Sequence, residues 1–329
     1  MSSAAPAFVP ETFEPHGLHR GERDWTETNC YVDVWIEVLH ALGHEPLAGL
    51  GFALRTDLEA DQWTFFKFAH DELFSLFGID VIELNPWQSV VAQMRNETRA
   101  GNIPLVEVDA YFLPDTAGTT YRVGHAKTTI GIATIDPEMS WVSYFHSGGF
   151  YRAAGDDYAG LFPTRPPDSA TLPPYIEVVK PGAGVPLAGR ELVDEAVRLL
   201  KRTMDRIPRT NPFTRYSERF ATDMEWLREG KGSSFHSYAF ANHRQFGAAF
   251  SLASAHLAWL RSAGFRPASV VMLAEAERSF AVISTMAKTL QFQAARSALA
   301  GKTIDASSPL NELVQRWEEG MSCLHRALG

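Results

Sequence analysis

The chain of 329 residues holds two cysteines, and they sit in unlike places. Cys30 follows Asn29 at the head of an amphipathic run. In that run Tyr31, Val34, Trp35, Val38, Leu39 and Leu42 recur at three- and four-residue steps. Asn29 is a good N-cap, and Gly43 stands where a C-cap is expected. In the first turn of a helix, unpaired N–H groups and the helix dipole favour a thiolate over a thiol. Cys30 is therefore a candidate nucleophile, against the plainer reading of a cysteine buried for packing. Cys323, late in the last helical segment, reads as ballast. His125 is the candidate base: it follows Gly124 and opens the apolar run Thr128–Ile135. A cysteine and a histidine far apart in sequence are the usual layout of such a pair. With 11 histidines in the chain, a surface role is the alternative. His146 on the next strand and Asp136 before Pro137 are candidates to orient the ring, and Asp136 reads equally as a turn residue.

These residues need elements to position them. From Trp25 to about Tyr158, helical and strand patterns alternate. After the helix that starts at Cys30, a second is expected over Gln62–Phe77 and a third after Pro86 to about Ala100. Ile103–Leu113, Thr128–Ile135 and Trp141–His146 read as strands, with Pro137–Ser140 as a hairpin turn between the last two. Helices followed by a mostly antiparallel sheet give an α+β fold rather than a doubly wound one. Residues 1–24 read as an extended arm. Leu161–Pro186 carries seven prolines, which resist helix and interior strand, although Tyr175–Val179 could add an edge strand. The expected domains are 1–185, holding the arm and the proline-rich linker, and 186–329, a helical bundle. Helices are expected near Leu187–Arg206, Pro212–Arg228, Ser237–Ser262, Ala268–Leu299 and Leu310–Leu328. Trp25, Trp63 and Trp87 read as core anchors.

Several stretches of residues 24–158 resemble the papain-like Cys–His acyltransferases typified by the butirosin biosynthesis acyltransferase, which are related to bacteriocin-processing cysteine peptidases. They are Thr28-Asn29-Cys30, Leu47-Ala48-Gly49-Leu50-Gly51-Phe52, the run from Ile103 through Asp109-Ala110-Tyr111-Phe112-Leu113-Pro114, and Gly124-His125. The resemblance implies a papain-like domain followed by a helical extension. It also implies that Cys30 takes an acyl or aminoacyl group from a thioester, with His125 as base, and passes it to an amine. An amino acid or peptide on a carrier protein's phosphopantetheine arm is then the natural donor. No bound cofactor is implied beyond that arm. Papain-like enzymes place Gln or Asn about six residues before the cysteine for the oxyanion; this chain has Asp24 there. In this frame Asn29, Asp109 and Tyr111 would face substrate.

The second domain adds a local charge reversal. Arg198, Lys201, Arg202, Arg206, Arg209, Arg215 and Arg219 stand against only Asp205 and Glu218 in that stretch. Arg198, Lys201, Arg202 and Arg206 can offer a basic helix face to an acidic carrier protein. Phosphate groups, coenzyme A or an aminoacyl-tRNA would be drawn by the same face, and a salt-bridged solvated face is the alternative. In Phe240–Gly247, Asn242 and Arg244 could read a substrate carboxylate or amine, or serve hydrogen bonding inside the bundle.

A net charge of −9 argues against a general nucleic-acid binder. Two cysteines cannot form a four-cysteine zinc site, and no metal site is expected. No apolar run is long enough to span a bilayer, and Met1–Pro10 lacks the marks of a signal peptide. The expectation is a cytoplasmic thiol-dependent acyltransferase. The rivals are a cysteine peptidase or amidase, and a degenerate module that binds an acylated carrier protein without turnover.

Overall fold

The structure, a computed structural model, describes residues 8–21, 23–87, 89–163, 174–265 and 269–329. Pro166, Pro167 and Pro173 of the expected linker, the first seven residues of the arm and Ala268 lie outside the described residues. In chain order the elements begin with α1 (Cys30–Ala41), the short strands β1 (Leu58–Glu59) and β2 (Gln62–Trp63), α2 (His70–Phe77), β3 (Asp80–Leu84) and α3 (Val90–Arg99). Next come β4 (Ile103–Asp109), β5 (Lys127–Asp136), β6 (Trp141–His146), β7 (Gly149–Ala154), α4 (Asp156–Leu161) and β8 (Ile176–Lys180). The rest is helical: α5 (Gly189–Met204), α6 (Pro212–Glu229), α7 (Phe235–Ala239), α8 (Gln245–Ser262), α9 (Val270–Ala300) and α10 (Ser307–Leu328). The chain is thus α+β, an antiparallel sheet with helices followed by a helical region.

It forms two compact units. One comprises Met1–Gly21, Asn29–Pro46 and Leu73–Leu187; the other Glu22–Thr28, Leu47–Glu72 and Ala188–Gly329. The expected boundary near 185 falls close to the break before Ala188. The expected contiguity does not hold, because segments 22–28 and 47–72 belong with the helices.

The first unit is built on a six-stranded antiparallel sheet in the order β3-β8-β4-β5-β6-β7. Successive side chains on a strand point to opposite faces, so register assigns each residue to a layer. Leu105, Gly131, Phe145 and Glu177 share one row across four strands, and α1 covers that face. Gly131 permits the approach: a Cβ there would stand 3.2 Å from Val34 Cγ1 and 3.1 Å from Leu105 Cδ2. The opposite face packs Val106, Val108, Ile130, Ile132, Val142, Tyr144, Ile176 and Val178 around Met94 of α3. α1 itself starts as expected. Asn29 Oδ1 accepts the Val32 N–H at 2.9 Å, and Gly43 takes a left-handed φ of +80° just past the end.

α1 also buries Asp33 and Glu37. His19, from a 3₁₀ turn at Gly17–His19, meets both. Its Nδ1 bonds Glu37, and its Nε2 lies 3.2 Å from Asp33 Oδ1. The His16 backbone N–H donates to Glu37 Oε1 at 3.0 Å. Part of the arm is therefore pinned to α1 rather than merely extended.

Several expectations of local structure change. The strand foreseen over Ile103–Leu113 ends at Asp109, where a 3₁₀ turn Ala110–Phe112 begins. The helix foreseen over Gln62–Phe77 is only His70–Phe77, because Gln62–Trp63 pairs with Leu58–Glu59 in a small hairpin. Tyr175–Val179 becomes β8, an interior strand between β3 and β4 rather than an edge. Trp25 and Trp63 are buried, whereas Trp87 is 87% exposed and anchors nothing.

In the second unit α9 packs against α8 and α10. Ala276, Ala287 and Ala294 are fully buried, so small residues allow close helix approach. The segment read as one helix over Ser237–Ser262 is α7, a π-helical turn Phe240–Arg244, and α8. Cys323 is buried in α10. No helix among the described residues is long and apolar enough to cross a membrane.

Candidate active site

Cys30 is the first residue of α1 and is partly exposed. Its position rests on the Asn29 cap and on the apolar stripe that seats α1 on the sheet. Asn29 is itself buried, its side chain committed to the cap, so it does not present to substrate. Next to Cys30, the Tyr31 hydroxyl donates to the buried Glu177 carboxylate on β8 at 2.6 Å. Burial and that negative charge push the Tyr31 phenol up.

His125 precedes β5, at the end of the sheet where β4 finishes. Asp109 and Lys127 are paired across β4 and β5. The His125 Nδ1–H donates to Asp109 Oδ2 at 2.6 Å. The ring stacks on Tyr111 with centroids 4.5 Å apart and planes 13° apart. Asp109 Oδ1 accepts the N–H groups of Tyr111 and Ala126. Burial opposes its ionisation, but the bonds from His125, Tyr111 and Ala126 outweigh that and hold the carboxyl below its ordinary range. Asp109 and Tyr111, expected to touch substrate, both hold the His125 ring. With Nδ1 donating to Asp109, Nε2 has no hydrogen-bond partner among the described residues, and the side chain is 72% exposed.

Asp136 and His146 are not the partners of His125, and register explains why. Asp136 ends the ten-residue β5 at the far end from His125, and its Oδ1 accepts the Met139 N–H in the hairpin turn. His146 follows Phe145 on β6 and so faces the layer opposite α1. There it is buried, with Nδ1 2.6 Å from Asp115 Oδ2 and Nε2 2.9 Å from Thr128 Oγ1. Tyr144 donates to the other Asp115 oxygen at 2.6 Å. Thr128, His146 and Asp115 have the hydrogen-bond order of a nucleophile triad, but all three are buried beneath the sheet. We read this as a satisfied polar network rather than a site. Neither Asp115 nor Thr128 carried a sequence signal.

No hydrogen bond joins Cys30 to His125 among the described residues. The structure places both residues in the first unit, on α1 and at the rim of the sheet α1 covers, without closing them into a pair.

In the second unit Asn242, expected at a substrate, is buried and donates to the Tyr238 carbonyl at 3.2 Å, while its buried Oδ1 has no partner among the described residues. Arg244 differs: its Nε donates to the Thr28 carbonyl at 2.7 Å, and its guanidinium lines a cavity of about 440 Å³. Asp24, expected at the oxyanion position, accepts from the Thr285 hydroxyl at 2.9 Å and lines the same cavity. The basic stretch is largely neutralised. Arg198 pairs with Glu195, Arg202 with Asp71 and Glu72, Arg215 with Asp57 and Arg219 with Asp223. Lys201 and Arg206 remain exposed on or next to α5.

Two family models match this chain: the DUF1839 N-terminal domain over residues 14–181, and the DUF1839 C-terminal domain over residues 189–326. No curated protein matches it.

Proposed function

For a chain that belongs to the DUF1839 family, we propose a cysteine-dependent acyl or aminoacyl transfer from a carrier-protein thioester to an amine. The observation that carries this reading is the Asp109–His125 pair. It leaves Nε2 of an exposed imidazole free, at the rim of the sheet whose covering helix begins with Cys30. A cysteine at a helix start and an oriented histidine on the sheet are the parts of a papain-like site.

The chemistry balances with these parts alone. His125 Nε2 takes the Cys30 thiol proton, the thiolate attacks the thioester carbonyl, and the proton passes to the phosphopantetheine sulfur as it leaves, giving an acyl-enzyme. The amine then attacks the acyl-enzyme carbonyl, His125 Nε2 takes its proton, and that proton returns to the Cys30 sulfur as the amide leaves. N–H groups in the first turn of α1 are the available donors to the tetrahedral oxyanion. Asp109 and Tyr111 are positioning residues. Lys201 and Arg206 would meet the acidic carrier protein, and a reducing cytoplasm suits two free thiols.

The test is intact mass spectrometry after mixing the protein with aminoacyl-loaded carrier protein. The expected result is an adduct on wild type that Cys30→Ala lacks. Identical spectra for the two would end the proposal. The absence of a Cys30–His125 hydrogen bond favours a second reading, a module that holds the acylated carrier without turnover. Carrier binding that survives Cys30→Ala, with no adduct on wild type, selects that reading.

A further inference from the structure

The second unit holds the cavity of about 440 Å³, and its lining has a distinctive charge pattern. Two cations, Arg244 and Lys288, face it together with two carboxylates, Asp24 and Glu27. Phe240 and Trp25 supply its apolar wall.

The carboxylates only partly engage the two cations. Lys288 Nζ sits 3.9 Å from the centroid of the Trp25 ring, with no carboxylate in salt-bridge range among the described residues. Burial lowers its pKa; Asp24 works against that, and the charge of Arg244 adds to it. A cation held this way is stabilised by an anion entering the cavity. Arg244 reaches Glu27 only at 3.7 Å, with its Nε on the Thr28 carbonyl. On the acceptor side, Gln291 lines the cavity, and its buried Oε1 has no hydrogen-bond partner among the described residues. An oxygen of this kind calls for an N–H donor, since leaving it unmade costs the desolvation of the group.

We propose that this cavity binds a small zwitterion, an α-amino acid with an apolar side chain, with its carboxylate on Lys288 and Arg244. Its ammonium lies toward Gln291 Oε1 and the Asp24 and Glu27 carboxylates, and its side chain lies against Phe240. The lining excludes the alternatives by charge. A phosphate dianion would face two carboxylates, and a simple amine would leave Lys288 without an anion. A simple acid would leave Gln291 Oε1 unmet. That this amino acid serves as the amine acceptor rests on the transferase reading above; the binding site itself does not.

The test uses the full-length Cys30→Ala protein, in which transfer is absent. Each of the 20 standard amino acids is titrated by calorimetry or ligand-observed NMR to about 10 mM. Phenylalanine is compared with phenethylamine and 3-phenylpropionate, and leucine with isoamylamine and 4-methylpentanoate. At least one apolar amino acid is expected to saturate, with each truncated analogue at least about tenfold weaker, as loss of a charge-assisted contact implies. Lys288→Met is expected to weaken the amino acid and the acid analogue alike. Gln291→Leu is expected to weaken the amino acid and leave the acid analogue unchanged, which tests the assignment even if one variant misfolds. The proposal is overturned if no amino acid saturates, if an acid or amine analogue binds as well as its parent, or if inorganic phosphate competes. Amino-acid binding without a Cys30 adduct leaves the cavity assigned and removes transfer; an adduct without binding does the reverse.

Discussion

The histidine clamp on α1 gives the most direct quantitative prediction. His19 is buried between Asp33 and Glu37, and its side chain is only 2% exposed. Burial alone would lower its pKa. The hydrogen bonds and charges of Asp33 and Glu37 outweigh that and raise it from 6.5 to about 9. At about 1.4 kcal/mol per tenfold change in proton affinity, the shift is worth about 3 kcal/mol of folding free energy. Because the folded pKa is the higher one, this stability is complete below pH 6.5. It drains away as the pH rises toward 9, where the unfolded chain has already lost the proton that the folded chain still holds. His19→Gln removes the cation that pairs with two buried carboxylates, a change that costs about 3–5 kcal/mol at neutral pH. Two measurements check this. Histidine-selective NMR, assigned with His19→Gln, should show one imidazole titrating near pH 9. Urea unfolding should show wild-type stability falling between pH 6.5 and pH 9 by about 3 kcal/mol. A His19 midpoint at or below 6.5, or a His19→Gln protein within about 1 kcal/mol of wild type, refutes the reasoning.

Three further outcomes are expected. Asp109→Asn removes the acceptor that fixes the His125 tautomer, so adduct formation on Cys30 should slow by about 10²–10⁴-fold, while Asp136→Ala changes it less than about threefold; rapid-quench mass spectrometry separates the two. Asp115→Asn breaks the buried Tyr144–Asp115–His146 network and should cost about 3–5 kcal/mol in denaturant unfolding, with near-ultraviolet circular dichroism confirming the fold. Gly131→Ala puts a methyl against Val34 and Leu105, and should cost about 1–3 kcal/mol as α1 is pushed off β5, read from the shift of the urea midpoint.

Much of the first unit was legible because its signals are local. The Asn29 cap, the apolar steps of α1 and the turn at Pro137–Ser140 are each written within a few residues. The candidate pair Cys30 and His125 came from position at element ends in the same way. The partner of His125 did not, because Asp109 and His125 meet only through the register of β4 on β5, 16 residues apart. His146 was plausible from sequence for the reverse reason: a one-residue step on β6 moves a side chain to the other face, and no composition reveals it. Asp33 and Glu37 lie off the apolar stripe of α1, so their burial was not legible; it depends on His19, which reaches them from 14 and 18 residues upstream. The cavity residues were hidden for a different reason. Asp24–Glu27 and Lys288 are drawn together by helix packing across most of the chain length.

The division of the chain into units has a consequence for its synthesis. Residues 22–28 and 47–72 leave the ribosome early, yet the helices they belong with begin only at Ala188. The sheet, too, is incomplete until β8 arrives to sit between β3 and β4. Trp25 and Trp63, buried in the finished protein, must therefore stay exposed until chain beyond Ala188 has been made. A nascent chain in that condition is a natural client for a holdase. A chain truncated after Leu187 keeps that exposure permanently, so expressing the sheet unit by itself should yield aggregate rather than a working fragment.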